Sequence, residues 1–261
     1  MNIKVGIIQM NIEFGSPEHN RTKVAKAFSD LANKNYDLIL LPELWTTGYD
    51  LTRLDEISDK NAEESIAFIQ GLAKKYQVDV IGGSVANQKE DGVYNTMIVI
   101  NRNGELIHEY SKLHLFKLMD EHHHLEAGKD SPSFTLANIK FGGFICYDIR
   151  FPEWIRKPVL EGATVLVVVA EWPTARIDHW ITLLRARAIE NQSYVIACNR
   201  VGADPNNTFG GNSMIIDPWG EMIAQGSDQE EIVSGIIDAE KVAEIRTRIP
   251  IFDDRRPSFY N

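Results

Sequence analysis

The stretch IKFGGFICYDIRFPE at residues 139–153 joins a strand-like run to the start of a helix, with Cys146 at the junction. β-Branched and aromatic residues lead up to the cysteine, and Pro152 suits the first turn of a helix. Backbone N–H groups and the helix dipole at such a junction favour a thiolate, which is a nucleophile. A second interpretation of these residues alone is that Cys146 is a small buried hydrophobe.

The composition favours a soluble α/β protein. The chain has 261 residues, 44% of them hydrophobic, and a formal net charge of −10. We expect one domain over residues 1–261 and no nucleic-acid partner, because the acidic charge is spread without long runs. Cys146 and Cys198 make no disulfide framework, and no segment reads as a signal peptide or approaches the ~20 apolar residues of a membrane span. These features predict a cytoplasmic protein without membrane contact.

Short apolar runs alternate with helical patterns along the chain. The predicted strands are 3–10, 37–42, 78–85, 94–101, 105–111, 139–146, 164–170, 194–200, 211–217, 221–225 and 231–237. The predicted helices are 18–34, 60–76, 152–161, 177–192 and 239–247. This order predicts mixed sheets with helices packed on their outer faces.

Two predicted hairpins resemble each other, NTMIVINRNGELI at 95–107 and NSMIIDPWGEMI at 212–223. Their turns at 101–104 and 217–220 begin with Asn or Asp and end with Gly, which is typical turn chemistry. Each hairpin follows a β-α-β stretch, so we expect two similar halves. The alternative is that hairpins with glycine turns resemble one another in general.

Charged residues stand where apolar strands end. Glu43 follows Leu41-Pro42, Lys112 follows the strand after the first hairpin, and Glu121 is expected in a loop. A carboxylate or ammonium at such a place is costly to bury unless it is paired. The alternative for each residue alone is that it leaves the core and becomes solvated.

Taken together with Cys146, these residues make the sequence resemble the nitrilase superfamily of carbon–nitrogen hydrolases. The resemblance covers nearly the whole chain and rests on blocks in the order of the family: LPE at 41–43, KLHLF at 112–116, CYDIRFPE at 146–153, ARAIENQSYV at 186–195, CNRVG at 198–202 and GNS at 211–213. It implies an α/β fold, a four-layer α-β-β-α sandwich that usually forms homodimers. EHHHLEAG at 121–128 and AEWPTARIDHW at 170–180 most resemble the omega-amidase branch, which hydrolyses 2-oxoglutaramate.

The resemblance implies that Glu43, Lys112 and Cys146 are the catalytic trio and that Glu121 is the second glutamate, although Asp120 is adjacent. Amide hydrolysis needs a nucleophile, a base that can become an acid, and stabilisation of the tetrahedral oxyanion. Cys146 would attack the amide carbon and Glu43 would move the proton. Lys112 and the backbone N–H of Tyr147 would hold the oxyanion, and Glu121 would orient Lys112 and the substrate nitrogen.

A 2-oxo acid amide also requires a cation for its carboxylate. The candidates are Arg150, Arg176 and His179, because a guanidinium binds a carboxylate bidentately. Arg176 beside Pro173 has the alternative of being a surface arginine. Trp172 from the same segment is a further candidate for the substrate pocket, and Tyr49 lines the pocket or caps a loop.

No metal or cofactor is predicted. Residues His122, His123 and His124 are consecutive, and three consecutive side chains rarely converge on one ion. Cys198 lies in a predicted buried strand and is expected to be a packing residue.

Other functions remain open from the sequence. Within the superfamily they are a deaminated-glutathione amidase, an N-carbamoyl amine hydrolase and a nitrilase. A non-catalytic dimerisation scaffold belongs to another class, but it gives no reason to keep two acids and a lysine around a thiol. A glutaminase subunit that passes ammonia to a synthetase is disfavoured, because the chain carries no synthetase domain.

Overall fold

Two mixed β-sheets face each other in the computed structural model, which describes residues 2–260. The strands are β1 Asn2–Gln9, β2 Leu38–Leu40, β3 Asp59–Lys60, β4 Asp79–Lys89, β5 Gly92–Ile100, β6 Leu106–Ser111, β7 Ser133–Leu136, β8 Ile139–Ile145, β9 Val165–Ala170, β10 Tyr194–Asn199, β11 Val201–Ala203, β12 Thr208–Gly210, β13 Met214–Ile216, β14 Met222–Gln225 and β15 Glu231–Asp238. The helices are α1 Pro17–Leu31, α2 Leu54–Ile57, α3 Glu63–Tyr76, α4 Glu121–His124, α5 Pro152–Leu160, α6 Ile177–Asn191 and α7 Lys241–Arg248.

The first sheet has the order β15-β1-β2-β4-β5-β6, with β3 beside β4, and the second has the order β14-β13-β10-β9-β8-β7. Side chains alternate along the strands, so that Leu38 and Leu40 of β2 face the second sheet whereas Ile39 faces the helices α1 and α3. On the other side, Ile155 of α5 and Trp180 of α6 pack on the second sheet. The four layers are therefore α-β-β-α, and the predicted fold class is confirmed.

The two halves repeat one topology. In the first half β1, β2 and β4 are parallel and β5 and β6 return antiparallel. In the second half β8, β9 and β10 are parallel and β13 and β14 return antiparallel. Even the hairpin turns correspond, because Asn101 Oδ1 accepts the N–H groups of Asn103 and Glu105 while Asp217 Oδ1 accepts those of Trp219 and Glu221. The expectation of two similar halves is confirmed.

The predicted elements are all present, and their ends differ for local reasons. The helix expected from residue 60 begins at Glu63, because Asn61 and Ala62 are left-handed and the Asp59 carboxylate accepts the N–H groups of Glu64 and Ser65. The strand expected at 211–217 is reduced to 214–216, since Gly211 and Asn212 have positive φ. The helix expected at 18–34 ends at Leu31. Six elements of two to four residues were not predicted, because so few residues carry too little periodicity: α2, α4, β3, β7, β11 and β12.

None of the helices among residues 2–260 is long and apolar enough to cross a membrane.

Gly83 fixes the backbone close to Glu43. It has a φ of +61°, and a Cβ there would lie 2.1 Å from the carbonyl oxygen of Pro42. We expect Gly83→Ala to lower the free energy of unfolding by about 2 kcal/mol or more, because the strained φ adds to a clash with backbone. Urea unfolding followed by circular dichroism measures this change in the free energy of unfolding.

The matched control is Gly71→Ala in α3, where nothing lies within 4 Å of an added Cβ. Alanine at this helical position should raise the free energy of unfolding by up to about 1 kcal/mol. Equal effects of the two substitutions would contradict the tight packing at Gly83.

Candidate active site

Three strand ends and one short helix bring four reactive side chains together. Glu43 comes three residues after β2, Lys112 directly after β6 and Cys146 directly after β8. Glu121 is the first residue of α4. The side chains of Glu43, Lys112 and Glu121 are fully buried, and Cys146 is 4% exposed. The solvated alternative for the charged residues is therefore wrong.

The Lys112 ammonium joins the two carboxylates. Its Nζ lies 2.8 Å from Glu43 Oε1 and 2.6 Å from Glu121 Oε1. The main chain of Lys112 is held as well, because its N–H donates to Asn95 O and its carbonyl accepts from Gly128 N, both at 2.8 Å. Burial alone lowers the pKa of Lys112, but Glu121, Glu43 and Cys146 raise it well above its ordinary value. This amine is consequently a cation and not a nucleophile.

Further donors fix the two carboxylates. The Tyr49 hydroxyl donates to Glu121 Oε1 at 2.5 Å and contacts Glu43 Oε1 at 3.2 Å. Asn95 Nδ2 donates to Glu43 Oε1, and the Glu171 N–H donates to Glu43 Oε2, both at 2.8 Å. The other oxygen of Glu121 accepts the Phe116 N–H at 2.7 Å. Tyr49 is thus part of the cluster, and its pKa is raised by burial and by Glu121 and Glu43.

Two expectations about this cluster need correction. Glu121 does not lie in a loop, because residues 121–124 form α4 and the turn before it places Glu121 inwards and Asp120 outwards with a φ of +58°. Cys146 does not end the strand either; it opens a 3₁₀ turn, Cys146–Arg150, with a φ of +47°.

The pKa of the nucleophile candidate also differs from the expectation. Burial raises the pKa of Cys146 well above its ordinary value, Glu43 raises it further, and the opposing effect of Lys112 is smaller. A helix terminus was expected to favour a thiolate, but desolvation and two neighbouring carboxylates outweigh it. The structure therefore favours a thiol that needs a base.

Glu121 responds to the same surroundings. Burial raises its pKa, Lys112 lowers it, and Glu43 raises it, with a net increase.

A second buried contact between charged-type side chains, Arg200 and Glu171, lies behind the cluster. Arg200 Nη1 is 2.7 Å from Glu171 Oε2, and both side chains are fully buried. Arg200 also donates to Ile12 O at 2.7 Å and stacks on Phe209, with its guanidinium carbon 4.3 Å from the ring centroid. Through the Glu171 N–H this pair supports the side of Glu43 opposite Lys112.

A narrow cleft borders Cys146, and both candidate arginines line it. Arg150 lies over the Trp172 ring at 4.8 Å and its Nη2 contacts His179 Nδ1 at 3.2 Å. Arg176 lies over the Phe116 ring at 5.3 Å. The other lining residues are Met119, Tyr147 and Pro173.

Trp172 is buried and its indole N–H donates to Arg176 O at 2.7 Å, so that it both lines the cleft and holds the turn of Arg176. His179 is exposed and acts on the cleft only through Arg150. Thus the cleft contains Tyr147, Arg150, Trp172 and Arg176, whereas Tyr49 belongs to the buried cluster.

The three consecutive histidines do not gather around one point with other ligands. The rings of His122 and His123 contact each other, with centroids 3.8 Å apart and planes tilted by 38°, and both residues are exposed. Among residues 2–260, no group of three or more His, Cys, Asp or Glu side chains is placed to hold a metal ion. Cys198 is fully buried in β10 with its Sγ 3.5 Å from Ile8 O, as expected of a packing residue.

Asn95 and Glu171 were missed from the sequence. Glu171 directly follows the apolar strand VLVVVA, so the rule that selected Glu43 and Lys112 also points to it. Asn95 is the first residue of NTMIVI, a segment whose sequence indicates only a likeness to the second hairpin. No spacing rule separates it from an ordinary strand asparagine.

Comparison with known proteins agrees with this geometry. The sequence profile described as carbon–nitrogen hydrolase matches residues 4–247. The chain is 49% identical over 260 residues to a protein named 2-oxoglutaramate amidase from Bacillus subtilis (strain 168), covering 100% of both chains.

Two solved structures share the fold. A CN-hydrolase superfamily protein from Xanthomonas campestris, with an arsenic adduct in its active site, is 32% identical with a TM-score of 0.92 over 98% of each chain. Nit3 of Saccharomyces cerevisiae, a member of branch 10 of the nitrilase superfamily, is 28% identical with a TM-score of 0.86, covering 95% of this chain and 94% of its own. The chain belongs to the carbon–nitrogen hydrolase family, within the nitrilase superfamily.

Glu171 makes stability depend on pH. Burial raises its pKa from 4.5 to about 8, so the folded protein keeps a proton that the unfolded chain releases. This contribution to stability is complete below pH 4.5 and is lost as the pH rises through about 8. As the pH rises between these values, we expect the free energy of unfolding to fall by up to about 1.4 kcal/mol per pH unit.

Urea unfolding of wild type and Glu171→Gln between pH 5.5 and 8.5 measures this slope. The variant should show a flatter profile, whereas Glu221→Gln at an exposed position should keep the wild-type slope. Parallel profiles for wild type and Glu171→Gln would contradict the assignment.

Proposed function

We propose that the protein is an omega-amidase that hydrolyses 2-oxoglutaramate to 2-oxoglutarate and ammonia. The observation that carries this proposal is the 49% identity, over 260 residues and the full length of both chains, with a protein named 2-oxoglutaramate amidase. The buried cluster of Glu43, Lys112, Glu121 and Cys146 supports it, because amide hydrolysis through a thioester uses these four groups.

The first step is the attack of Cys146 Sγ on the amide carbon. Glu43 takes the thiol proton, since burial holds the pKa of Cys146 high and leaves little thiolate without a base. Glu43 Oε1 already accepts from Lys112, Asn95 and Tyr49. Its Oε2 accepts the Glu171 N–H and is the oxygen with more capacity for a proton.

The tetrahedral oxyanion then needs donors. Lys112 Nζ and the backbone N–H of Tyr147, which follows Cys146 in the 3₁₀ turn, are proposed for this role. Removing one such donor costs about 3–4 kcal/mol in well-studied enzymes. Glu121 positions Lys112 at 2.6 Å and is proposed to accept a hydrogen from the substrate nitrogen.

Ammonia leaves when Glu43 returns the proton to the nitrogen and the C–N bond breaks, which produces a thioester on Cys146. A water molecule then attacks the thioester carbon while Glu43 takes one of its protons. Glu43 passes this proton to the sulfur as the C–S bond breaks, which releases the carboxylic acid product and restores the Cys146 thiol. One carboxylate thus acts as a base and then as an acid in each half of the reaction.

The substrate carboxylate is proposed to meet an arginine of the cleft. Arg176 comes first, because it lines the cleft beside Cys146 and its turn is fixed by Trp172. Arg150 comes next, although its guanidinium already lies between the Trp172 ring and His179.

The remaining proposals concern the whole protein. We propose a homodimer in the cytoplasm, without a metal or cofactor. A single carbon–nitrogen hydrolase domain over residues 1–261 is supported by the family match to residues 4–247. Two free cysteines, both buried, accord with a reducing compartment.

Ammonia release tests the function directly. The panel consists of 2-oxoglutaramate, 2-oxosuccinamate, glutamine, deaminated glutathione and an N-carbamoyl amine. The proposal requires the highest kcat/KM for 2-oxoglutaramate or its shorter homologue. A preference for deaminated glutathione or the carbamoyl compound would assign the protein to another branch.

Cys146→Ala should lower turnover at least about 10⁴-fold while the protein still folds, because the thioester cannot form. Ammonia release and circular dichroism measure the two effects. Cys198→Ala is the matched control and should retain activity. In the wild type, iodoacetamide should modify Cys146 faster than Cys198, since only Cys146 borders the cleft. An active Cys146→Ala protein would overturn the assignment.

Arg176→Ala should raise KM for 2-oxoglutaramate about tenfold to 100-fold, because a charged partner of the carboxylate is lost. KM for propionamide, which lacks a carboxylate, should change less than about twofold. Steady-state kinetics with both substrates measures the difference. Arg185→Ala, at an exposed position of α6, should leave both values unchanged. Equal losses for both substrates would make Arg176 a structural residue.

A further inference from the structure

Asp148 is a fully buried carboxylate two residues after Cys146, and it accepts four hydrogen bonds. Its Oδ2 accepts from the Tyr110 hydroxyl at 2.7 Å and from the Ile145 N–H at 3.1 Å. Its Oδ1 accepts from the His114 N–H at 3.2 Å and from His114 Nδ1 at 2.7 Å. A buried carboxylate is costly unless it is bonded in this way.

The residues that donate to Asp148 lie close in the chain to Cys146 and Lys112, the two groups that the proposed reaction needs at a fixed separation. Ile145 directly precedes Cys146, whereas Tyr110 and His114 each stand two residues from Lys112. The Tyr110 hydroxyl also accepts from the Leu113 N–H at 3.3 Å and from Trp154 Nε1 at 3.0 Å. The segment that carries Lys112 is therefore bound on both sides of the lysine.

Cys146 itself has a backbone conformation that needs support. Its φ is +47°, in the left-handed region that costs a residue with a side chain about 1–2 kcal/mol. Such a conformation persists only where neighbouring contacts hold it. The bond from Ile145 N–H to Asp148 closes this turn from one side, and the His114 ring stacks on Phe151 just beyond it, with centroids 3.7 Å apart.

We propose that Asp148 and His114 form a positioning pair that holds the Cys146 turn against the Lys112 segment. The pair sets the distance between the nucleophile and the oxyanion donor, and neither residue touches the substrate. This inference rests on the proposed roles of Cys146 and Lys112. It predicts an effect on kcat more than on KM, since substrate binding belongs to the separate cleft.

Two substitutions of His114 separate its hydrogen bond from its packing. His114→Phe keeps a ring against Phe151 but removes the donor to Asp148. His114→Asn loses the ring but keeps an N–H donor at a similar position. We expect His114→Phe to lower kcat about tenfold to 100-fold with KM within about threefold, and His114→Asn to stay within about threefold of the wild-type kcat.

The matched control is Asp130→Asn. Asp130 is exposed and accepts the Ser111 N–H at 3.3 Å, so it also contacts the Lys112 segment but has no bond to the Cys146 turn. The kcat of Asp130→Asn should equal that of wild type. Asp148→Asn should lose more activity than His114→Phe, and if it does not fold, the His114 variants still decide the matter.

Hydrogen exchange measured by mass spectrometry gives a readout that needs no substrate. In His114→Phe, peptides covering 110–116 and 142–150 should both exchange faster, whereas in His114→Asn and Asp130→Asn the second peptide should be unchanged. If only the first peptide responds in His114→Phe, or if both His114 variants lose the same activity, the positioning pair is wrong. If wild type releases ammonia from no amide of the panel, the proposed function fails while the exchange data still decide on the pair.

Discussion

The contact of one buried ammonium with two buried carboxylates is the constraint on which the site depends. Without Lys112, Glu43 and Glu121 would place two negative charges in a space without water, and breaking a buried pair costs about 3–5 kcal/mol. With Lys112 at 2.8 Å and 2.6 Å, both acids can be held inside the sandwich. The Asn95 amide, the Tyr49 hydroxyl and two main-chain N–H groups then fill the remaining positions on the carboxylates.

Glu43 and Glu121 both contact Lys112, but their other surroundings differ. Glu121 is bonded through one oxygen to Lys112 and Tyr49 and through the other to the Phe116 main chain, so it is fixed as a holder of the lysine. Glu43 faces the thiol, whose pKa it raises. In the proposed mechanism, the raised pKa of the Cys146 thiol means that the thiol keeps its proton until Glu43 removes it.

Much of the fold and the centre of the site could be predicted from the sequence, for physical reasons that are visible in particular residues. Strand ends with charged residues after apolar runs identified Glu43 and Lys112, and a similar hairpin sequence indicated the repeated topology. The conformation of residues 120–124 could not be predicted, because one four-residue helix carries no periodicity. The pKa of Cys146 is raised by burial and by carboxylates about 100 and 25 positions away in the chain, neither of which the local junction reveals. Asn95, Glu171 and Asp148 act through hydrogen bonds to residues 52, 128 and 38 positions away in the chain, which only the folded structure reveals.

Each half of the repeated architecture supplies only part of the candidate active site. Glu43 lies after β2 and Lys112 after β6 in the first half, whereas Cys146 lies after β8 in the second. Neither sheet alone contains a nucleophile beside a base. The site is therefore complete only where the two sheets pack against each other, because that packing places the thiol of one half beside the carboxylate and the ammonium of the other.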